Sequence, residues 1–212
     1  MIKKLALTLI CCSASAFAQS SSCGHLIGSC EYYTCVENDL ISCGENGYTL
    51  GYGYHYCQNF RSYHPSQSID AHEKELFPVD WNHWLDKTAN CLHSAIDHYL
   101  INSDNATCTN LRLAAFESHA TCYTSEDSFC FLPPQQIAHI GAIISAHGFL
   151  QPETLQQVSQ TATICVKQIN ERLSHETSIR NTIELSLYRD AWNILAQHPQ
   201  TEFSLDVQVP YM

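Results

Sequence analysis

Residues 23–57 read CGHLIGSCEYYTCVENDLISCGENGYTLGYGYHYC. The stretch holds five cysteines and six of the eight glycines in the chain. A segment of this composition cannot build an apolar core alone and is typical of short irregular elements held together by disulfides. We therefore expect residues 19–60 to form a small cysteine-rich part in front of a longer body.

The first 18 residues are typical of a signal peptide. Lys3 and Lys4 form a charged start, an apolar run follows, and residues 16–18 (Ala-Phe-Ala) fit a small-residue cleavage site. We expect the mature chain to begin near Gln19 and to be secreted, or periplasmic if a bacterial producer retains it. A lipoprotein signal that uses one of the two cysteines before residue 13 is the alternative. No later apolar run approaches the roughly 20 residues that span a bilayer, so we expect no membrane anchor.

The cysteine count predicts disulfides. Two of the twelve cysteines precede residue 19, so the mature chain keeps ten. An even number in an exported chain favours five disulfides, because oxidising compartments form and preserve them. Zinc binding by these cysteines is the alternative, but the sequence has no Cys-x2-Cys pair of the kind common in zinc sites. The lack of a closely spaced cysteine pair also argues against a redox enzyme.

Acidic residues outnumber basic ones by 21 to 10. Removing the signal peptide takes away two lysines, which leaves 8 minus 21, or −13, with histidine neutral. This charge argues against nucleic acid as a partner. One interpretation of the acidic charge is that it attracts cations or a basic receptor surface. The alternative is that the acidic residues only form a solvated exterior.

Apolar spacing after residue 80 predicts five helices and an all-α fold. Asp80 caps the first helix, residues 102–105 break it, and Cys108 and Cys122 lie on one face of the second. Pro134 opens the third helix, which Gly148 is placed to end, and Pro152 opens the fourth. The other residues expected to face the core are Leu85, Leu92, Ile96 and Tyr99 in the first helix, Leu111 and Ala115 in the second, Ile137, Ile140 and Ile144 in the third, Leu155, Val158, Ala162, Cys165, Ile169 and Leu173 in the fourth, and Ile179, Ile183, Leu187 and Ile194 in the fifth.

Helical hairpins make two disulfides sterically reasonable. The midpoint between Cys91 and Cys122 falls in the turn between the first two helices, so an antiparallel hairpin brings them together. The midpoint between Cys130 and Cys165 falls at the break between the third and fourth helices. Counting alone leaves the other pairs open.

The stretch Cys30-Glu31-Tyr32-Tyr33-Thr34-Cys35-Val36-Glu37-Asn38 resembles the stanniocalcins, a family of secreted glycoprotein hormones linked to calcium and phosphate handling. The resemblance covers nearly the whole mature chain. It continues through Cys57 and Phe60, the order of Cys91, Cys108, Cys122 and Cys130, Ile164-Cys165, and Ile194-Leu195-Ala196-Gln197-His198. The resemblance implies the pairs Cys23–Cys35, Cys30–Cys57, Cys43–Cys108, Cys91–Cys122 and Cys130–Cys165.

Two features depart from that family. No cysteine follows His198, so we expect no interchain disulfide, and any homodimer is noncovalent. Asn38 is followed by Asp39 and Leu40 and is not a glycosylation signal. The sequon is instead Asn105-Ala106-Thr107, in the turn between the first two predicted helices, which makes Asn105 the candidate glycosylation site.

The candidate chemical groups lie on the first two predicted helices. His93 and Asp97 are four residues apart, with His98 adjacent and His119 on the next helix, which is a candidate metal or acid–base group. A structural role is the alternative, because no third ligand has a diagnostic spacing. Nucleotide, calcium-loop and Gly-x-Ser-x-Gly patterns are absent, so we expect no cofactor and no enzyme.

Aromatic residues are the candidate binding surface. They are Trp81, Trp84, Tyr48, Tyr52, Tyr54 and Tyr56. Such residues often anchor interfaces, and packing around disulfides is the alternative explanation.

The sequence thus predicts disulfide-stapled helical hairpins in one domain, residues 19–198, followed by an extended or loose tail, 199–212. By resemblance, the expected function is stanniocalcin-like signalling or binding through an extracellular protein partner, with a link to calcium or phosphate handling. A carrier of a lipid or other apolar ligand, and a small hydrolase that uses His93 and Asp97, are the alternatives.

Overall fold

The computed structural model describes residues 20–65, 69–149 and 152–197, without the side chains of residues 145–149. The predicted signal peptide and the tail 199–212 lie outside the described residues. Within them the chain is helical without a strand, which confirms the all-α prediction. None of these helices is long and apolar enough to cross a membrane.

The α-helices run from Glu31–Cys35 (α1), His55–Ser62 (α2), Ala71–Leu76 (α3), Trp81–Asn102 (α4), Cys108–Tyr123 (α5), Pro134–Phe149 (α6), Pro152–Leu173 (α7) and Ile179–Gln197 (α8). Short 3₁₀ turns lie at Gly24–Leu26 and Phe129–Phe131, and π-helical turns lie at Val36–Leu40 and Tyr48–Tyr54. The helices α4 to α8 make up the body, with α4 packed along α5 and α7 along α8.

Local capping explains where the α4–α5 hairpin begins and turns. The Asp80 side chain accepts a hydrogen bond from the backbone N–H of His83 at 3.0 Å, and Thr107 accepts one from Asn110 at 3.2 Å. Each bond satisfies one of the free N–H groups at a helix start. The predicted helix from Trp81 to Asn102 is therefore confirmed, including its cap.

Five disulfides join the ten cysteines, as the even count predicts. The pairs are Cys23–Cys35, Cys30–Cys57, Cys43–Cys108, Cys91–Cys122 and Cys130–Cys165. These are the pairs that the resemblance implies, and they include the two that the hairpins favour. Cys43–Cys108 joins the cysteine-rich part to the start of α5.

The core has two clusters of buried residues, and α4 contributes to both. The first core packs the cysteine-rich part against α4 and α5 through Tyr32, Tyr33, Val36, Tyr48, Ile96, Leu111 and Phe116. The second core gathers Trp81, Trp84 and Leu85 of α4 with Ile140, Ile144, Ala162, Ile169, Leu185 and Trp192 of α6, α7 and α8. Because α4 spans both clusters, the cysteine-rich part and the helical body share one scaffold.

The predicted inward stripe of α8 is wrong. Ile179, Ile183, Leu187 and Ile194 are 80, 56, 67 and 59% exposed, whereas Leu185 is fully buried. Apolar side chains lie on two sides of α8, so helical spacing alone does not identify the inward side. The side with Leu185 and Trp192 faces the core, where the Trp192 ring packs 5.7 Å from Phe129.

The stripe predicted for α7 is only partly correct. Ala162, Cys165 and Ile169 are buried as expected, but Leu155 and Val158 are half-buried. Near the start of α7 the buried residues are instead Thr154, Gln157 and Thr161. Because α7 contacts α5, α6 and α8, more of its circumference is covered than one apolar stripe.

Candidate functional site

His93 is part of the packing between α4 and the cysteine-rich part. Its Nδ1 accepts a hydrogen bond from the backbone N–H of Gly28 at 2.9 Å, and its ring stacks on Tyr32 at 4.6 Å between centroids. Burial, followed by the charge of Arg61, lowers the pKa of His93 to about 4. The ring is therefore neutral at physiological pH and serves as a hydrogen-bond acceptor.

Asp97 binds the first residues of the described chain. Its buried carboxylate accepts hydrogen bonds from the Ser20 hydroxyl and the Ser21 backbone N–H, both at 3.1 Å. The Ser21 hydroxyl also donates to it, and the Tyr32 hydroxyl does so at 3.4 Å. These donors fill the acceptor sites of the carboxylate, so Asp97 anchors the N-terminal segment to α4.

The four residues of the predicted chemical group do not converge on one reacting point. His98 is exposed, and His119 lies on α5 with its Nδ1 2.6 Å from the carbonyl oxygen of Ala115. Burial lowers the pKa of His119 to about 4. His93 and His119 both line one aromatic cavity, but Asp97 is not among its lining residues.

Among the described residues, three potential metal ligands approach one another in one place, at Cys23, Cys35 and Asp39. The two cysteines form a disulfide and have no thiolate to offer a metal. This cluster is therefore an ordinary disulfide beside a carboxylate.

An aromatic cavity of about 50 Å³ lies between the cysteine-rich part and α4, α5 and α6. Tyr33, Tyr52, Trp84 and Tyr123 line it together with Thr88, whose hydroxyl has no hydrogen-bond partner in the protein. Pockets for small organic ligands are typically 300–1,000 Å³. The cavity is therefore too small for a lipid.

The candidate aromatic surface is largely interior. Tyr48 packs against Tyr52 and Phe116 with ring centroids 5.6 and 5.8 Å apart. The Tyr56 hydroxyl donates to the carbonyl oxygen of Ile144 at 3.1 Å. Trp81 and Trp84 are 1 and 2% exposed. These contacts favour the packing explanation over recognition.

The exposed apolar side chains of α8 form the surface that sequence reasoning missed. We call Ile179, Ile183, Leu187 and Ile194 the α8 face. They present roughly 500 Å² if a fully exposed Ile or Leu offers about 200 Å², which is at the upper end for a typical monomer patch. The signal was present in the sequence, since Leu185, Tyr188, Trp192 and Leu195 form a second apolar stripe on the same helix.

The charges on α8 balance. Arg180 pairs with Glu184 at 2.9 Å, and Arg189 pairs with Asp190 at 2.8 Å. Exposed pairs of this kind contribute little to stability. Arg180 and Glu184 lie within one helical turn of Ile183, and Asp190 lies within one turn of both Leu187 and Ile194, so polar groups adjoin the apolar side chains of the α8 face.

Asn105, the candidate glycosylation site, is exposed in the turn between α4 and α5. This turn joins Asn102, the last residue of α4, to Cys108, the first of α5. Nothing in the described contacts blocks an enzyme from reaching the Asn105 side chain. The site is therefore compatible with modification.

Comparisons with known protein families, with curated proteins and with solved structures find no match for this chain.

Proposed function

We propose that the protein is a stanniocalcin-like extracellular binding protein that engages a protein partner through the α8 face. The exposure of four large aliphatic side chains on one helix carries the proposal. Scattered exposed apolar residues are normal on protein surfaces, whereas a contiguous patch with a polar rim is typical of an interaction site.

The disulfide framework supports the extracellular part of the proposal. Five disulfides within about 140 residues are typical of proteins in oxidising compartments. Their pairing agrees with the pairing implied by the stanniocalcin resemblance. A link to calcium or phosphate handling rests on that resemblance alone.

Charge defines the chemistry of the partner. The chain carries a net charge of −11, while α8 carries two arginines and two acidic residues. A long-range acidic field attracts a basic protein, and the apolar side chains of the α8 face then pack against those of the partner. The partner we propose is a basic extracellular protein that presents an apolar groove to α8.

The alternatives have less support from the geometry. A lipid carrier needs a far larger cavity than the one beside Tyr52 and Trp84. A hydrolase that uses His93 and Asp97 needs both groups to face a substrate, yet Gly28 and Ser21 occupy their hydrogen-bonding atoms. Neither alternative makes use of the α8 face.

The test compares two substitutions of the same kind. Leu187→Asp places a charge in the α8 face, and Leu113→Asp places one on α5, where Leu113 is 46% exposed. The disulfide-intact protein is used to select partners from a displayed library of secreted proteins, and each purified partner is then measured by calorimetry.

We expect Leu187→Asp to weaken binding at least tenfold and Leu113→Asp to leave it unchanged. Binding should also weaken as salt rises, because the partner is basic. Partners that bind both variants with wild-type affinity would overturn the proposal.

A further inference from the structure

The segment that follows α8 has a second apolar pattern. Residues 198–212 lie outside the described residues, but their sequence carries an apolar side chain at every second position from 203 to 211. These are Phe203, Leu205, Val207, Val209 and Tyr211, and the residues between them are Ser204, Asp206, Gln208 and Pro210. Strict alternation of this kind favours a segment that buries one side of an extended chain.

We propose that residues 203–211 pack on the α8 face and compete there with the protein partner. The proposal rests on the function proposed above, because it concerns the regulation of the same surface. The segment and the α8 face each carry aliphatic side chains that otherwise remain in water, and contact between them removes both from water.

The lengths of the two elements match. The rise of an α-helix places Ile179 and Ile194 about 22 Å apart along α8. Nine residues of extended chain cover about 26 Å between the first and last Cα atoms. Residues 198–202, with Pro199 near the start, link the two and are long enough to reverse the direction of the chain.

Effective concentration favours this segment over a second copy of the protein. Covalent attachment through residues 198–202 keeps the segment near α8 at an effective concentration on the order of millimolar. A second copy has to reach the same concentration in solution and carries the same net charge of −11, so the two molecules repel each other. Two α8 faces also bury only about 1,000 Å² together, which is below the usual size of a stable interface.

The consequence is regulation by competition. A partner has to displace residues 203–211, so its apparent affinity falls by the fraction of molecules in which the face is open. Removal of the segment raises that fraction without changing α8 itself.

The experiment uses substitutions on the two sides of the alternation. In the full chain, Leu205→Asp with Val207→Asp alters the apolar side, and Ser204→Asp with Gln208→Asp is the matched control with the same added charge. A third variant ends at His198. Binding of an apolar fluorescent dye and hydrogen exchange of α8 report exposure of the face, and sedimentation reports the oligomeric state.

We expect the first and third variants to bind several times more dye than the wild type and to bind the partner about tenfold more tightly, while the control behaves as wild type. Equal dye binding and exchange in all variants would overturn the proposal. So would a full-length dimer that Leu187→Asp dissociates, because a second copy would then be the occupant.

The two proposals fail in different ways. If the segment does not cover the face, the tail variants match the wild type while Leu187→Asp still weakens partner binding. If the face does not bind the partner, Leu187→Asp leaves partner affinity unchanged while the tail variants still expose apolar surface.

Discussion

At the scale of single residues, buried polar side chains organise the cysteine-rich part. The Glu37 carboxylate accepts hydrogen bonds from the backbone N–H groups of Cys43 and Gly44 at 2.8 and 2.7 Å, from the Ser42 hydroxyl at 3.1 Å and from the Thr49 hydroxyl. Burial raises the pKa of Glu37, but these hydrogen bonds outweigh it and the net pKa is lowered. One carboxylate thus holds a glycine-containing loop that has no regular secondary structure to stabilise it.

Glu37→Gln should therefore destabilise the protein. An amide keeps one acceptor oxygen and turns two N–H donors toward a site built from donors, so at least one buried group loses its partner. We expect a loss of about 2 kcal/mol in the free energy of unfolding. Urea denaturation with the disulfides intact measures this loss, and the exposed Glu45→Gln, with the same change of charge, is the control. Equal stability of the two variants would show that the loop does not depend on the carboxylate.

Two buried histidines should make the fold sensitive to mild acid. The pKa values of His93 and His119 are lowered to about 4, mainly by burial, so the unfolded chain takes up protons below pH 6.5 while the folded chain does not. Their contribution to stability is complete above pH 6.5 and decreases as the pH falls toward 4.

We expect each histidine to cost about 2 kcal/mol of stability between pH 7.5 and pH 4.5. His93→Gln should reduce the pH dependence by that amount, whatever its effect at neutral pH, and the exposed His98→Gln is the control for the substitution itself. Unfolding free energies of the three proteins at both pH values decide the matter, and an unchanged pH dependence in His93→Gln would contradict the assignment.

At the scale of helices, the orientation of α8 links the core to the proposed binding surface. Leu185 is fully buried and Leu187 is 67% exposed, although only one residue separates them. The same helix therefore offers a direct comparison of a buried and an exposed leucine.

Leu185→Ala should lower the free energy of unfolding by about 3 kcal/mol, because it leaves a cavity in the second core. Leu187→Ala should change it by less than about 0.5 kcal/mol. Thermal or urea denaturation of the two variants gives the comparison. If the order of the two effects were reversed, α8 would present the opposite side to α7.

Sequence patterns predict the start and end of α4 because capping is local chemistry, as Asp80 and its bond to His83 show. They do not predict which side of α8 is buried, because Leu185 and Leu187 both belong to helical apolar stripes. That choice depends on how α8 packs against α7 and on the contact of Trp192 with Phe129, which lies more than 60 residues earlier in the chain. The roles of His93 and Asp97 were equally hidden, since their partners Gly28 and Ser21 lie more than 60 residues away.

At the scale of the whole molecule, the disulfide that spans the longest stretch of chain joins the cysteine-rich part to α5. Cys43–Cys108 spans 65 residues, whereas Cys23–Cys35 spans 12. It ties the loop around Glu37 to α5, and α5 packs against α7. In the chain-entropy account, a longer closed loop gives the larger stabilisation.

Replacement of Cys43 and Cys108 by serine should lower the free energy of unfolding by about 4 kcal/mol. Replacement of Cys23 and Cys35 by serine should lower it by about 3 kcal/mol through the same effect. The second replacement loses further stability because it places a serine hydroxyl at the buried position of Cys23. Both half-cystines of the longer bridge are half-buried, so its loss acts mainly on the unfolded chain. Nonreducing peptide mapping first verifies that the other four pairs persist, and denaturation then gives the two free energies.

Since His93 and Asp97 still hold the cysteine-rich part on α4, we expect each variant to unfold in a single transition. Two separate transitions in the Cys43–Cys108 variant would mean that the contacts on α4 do not by themselves couple the cysteine-rich part to the helical body.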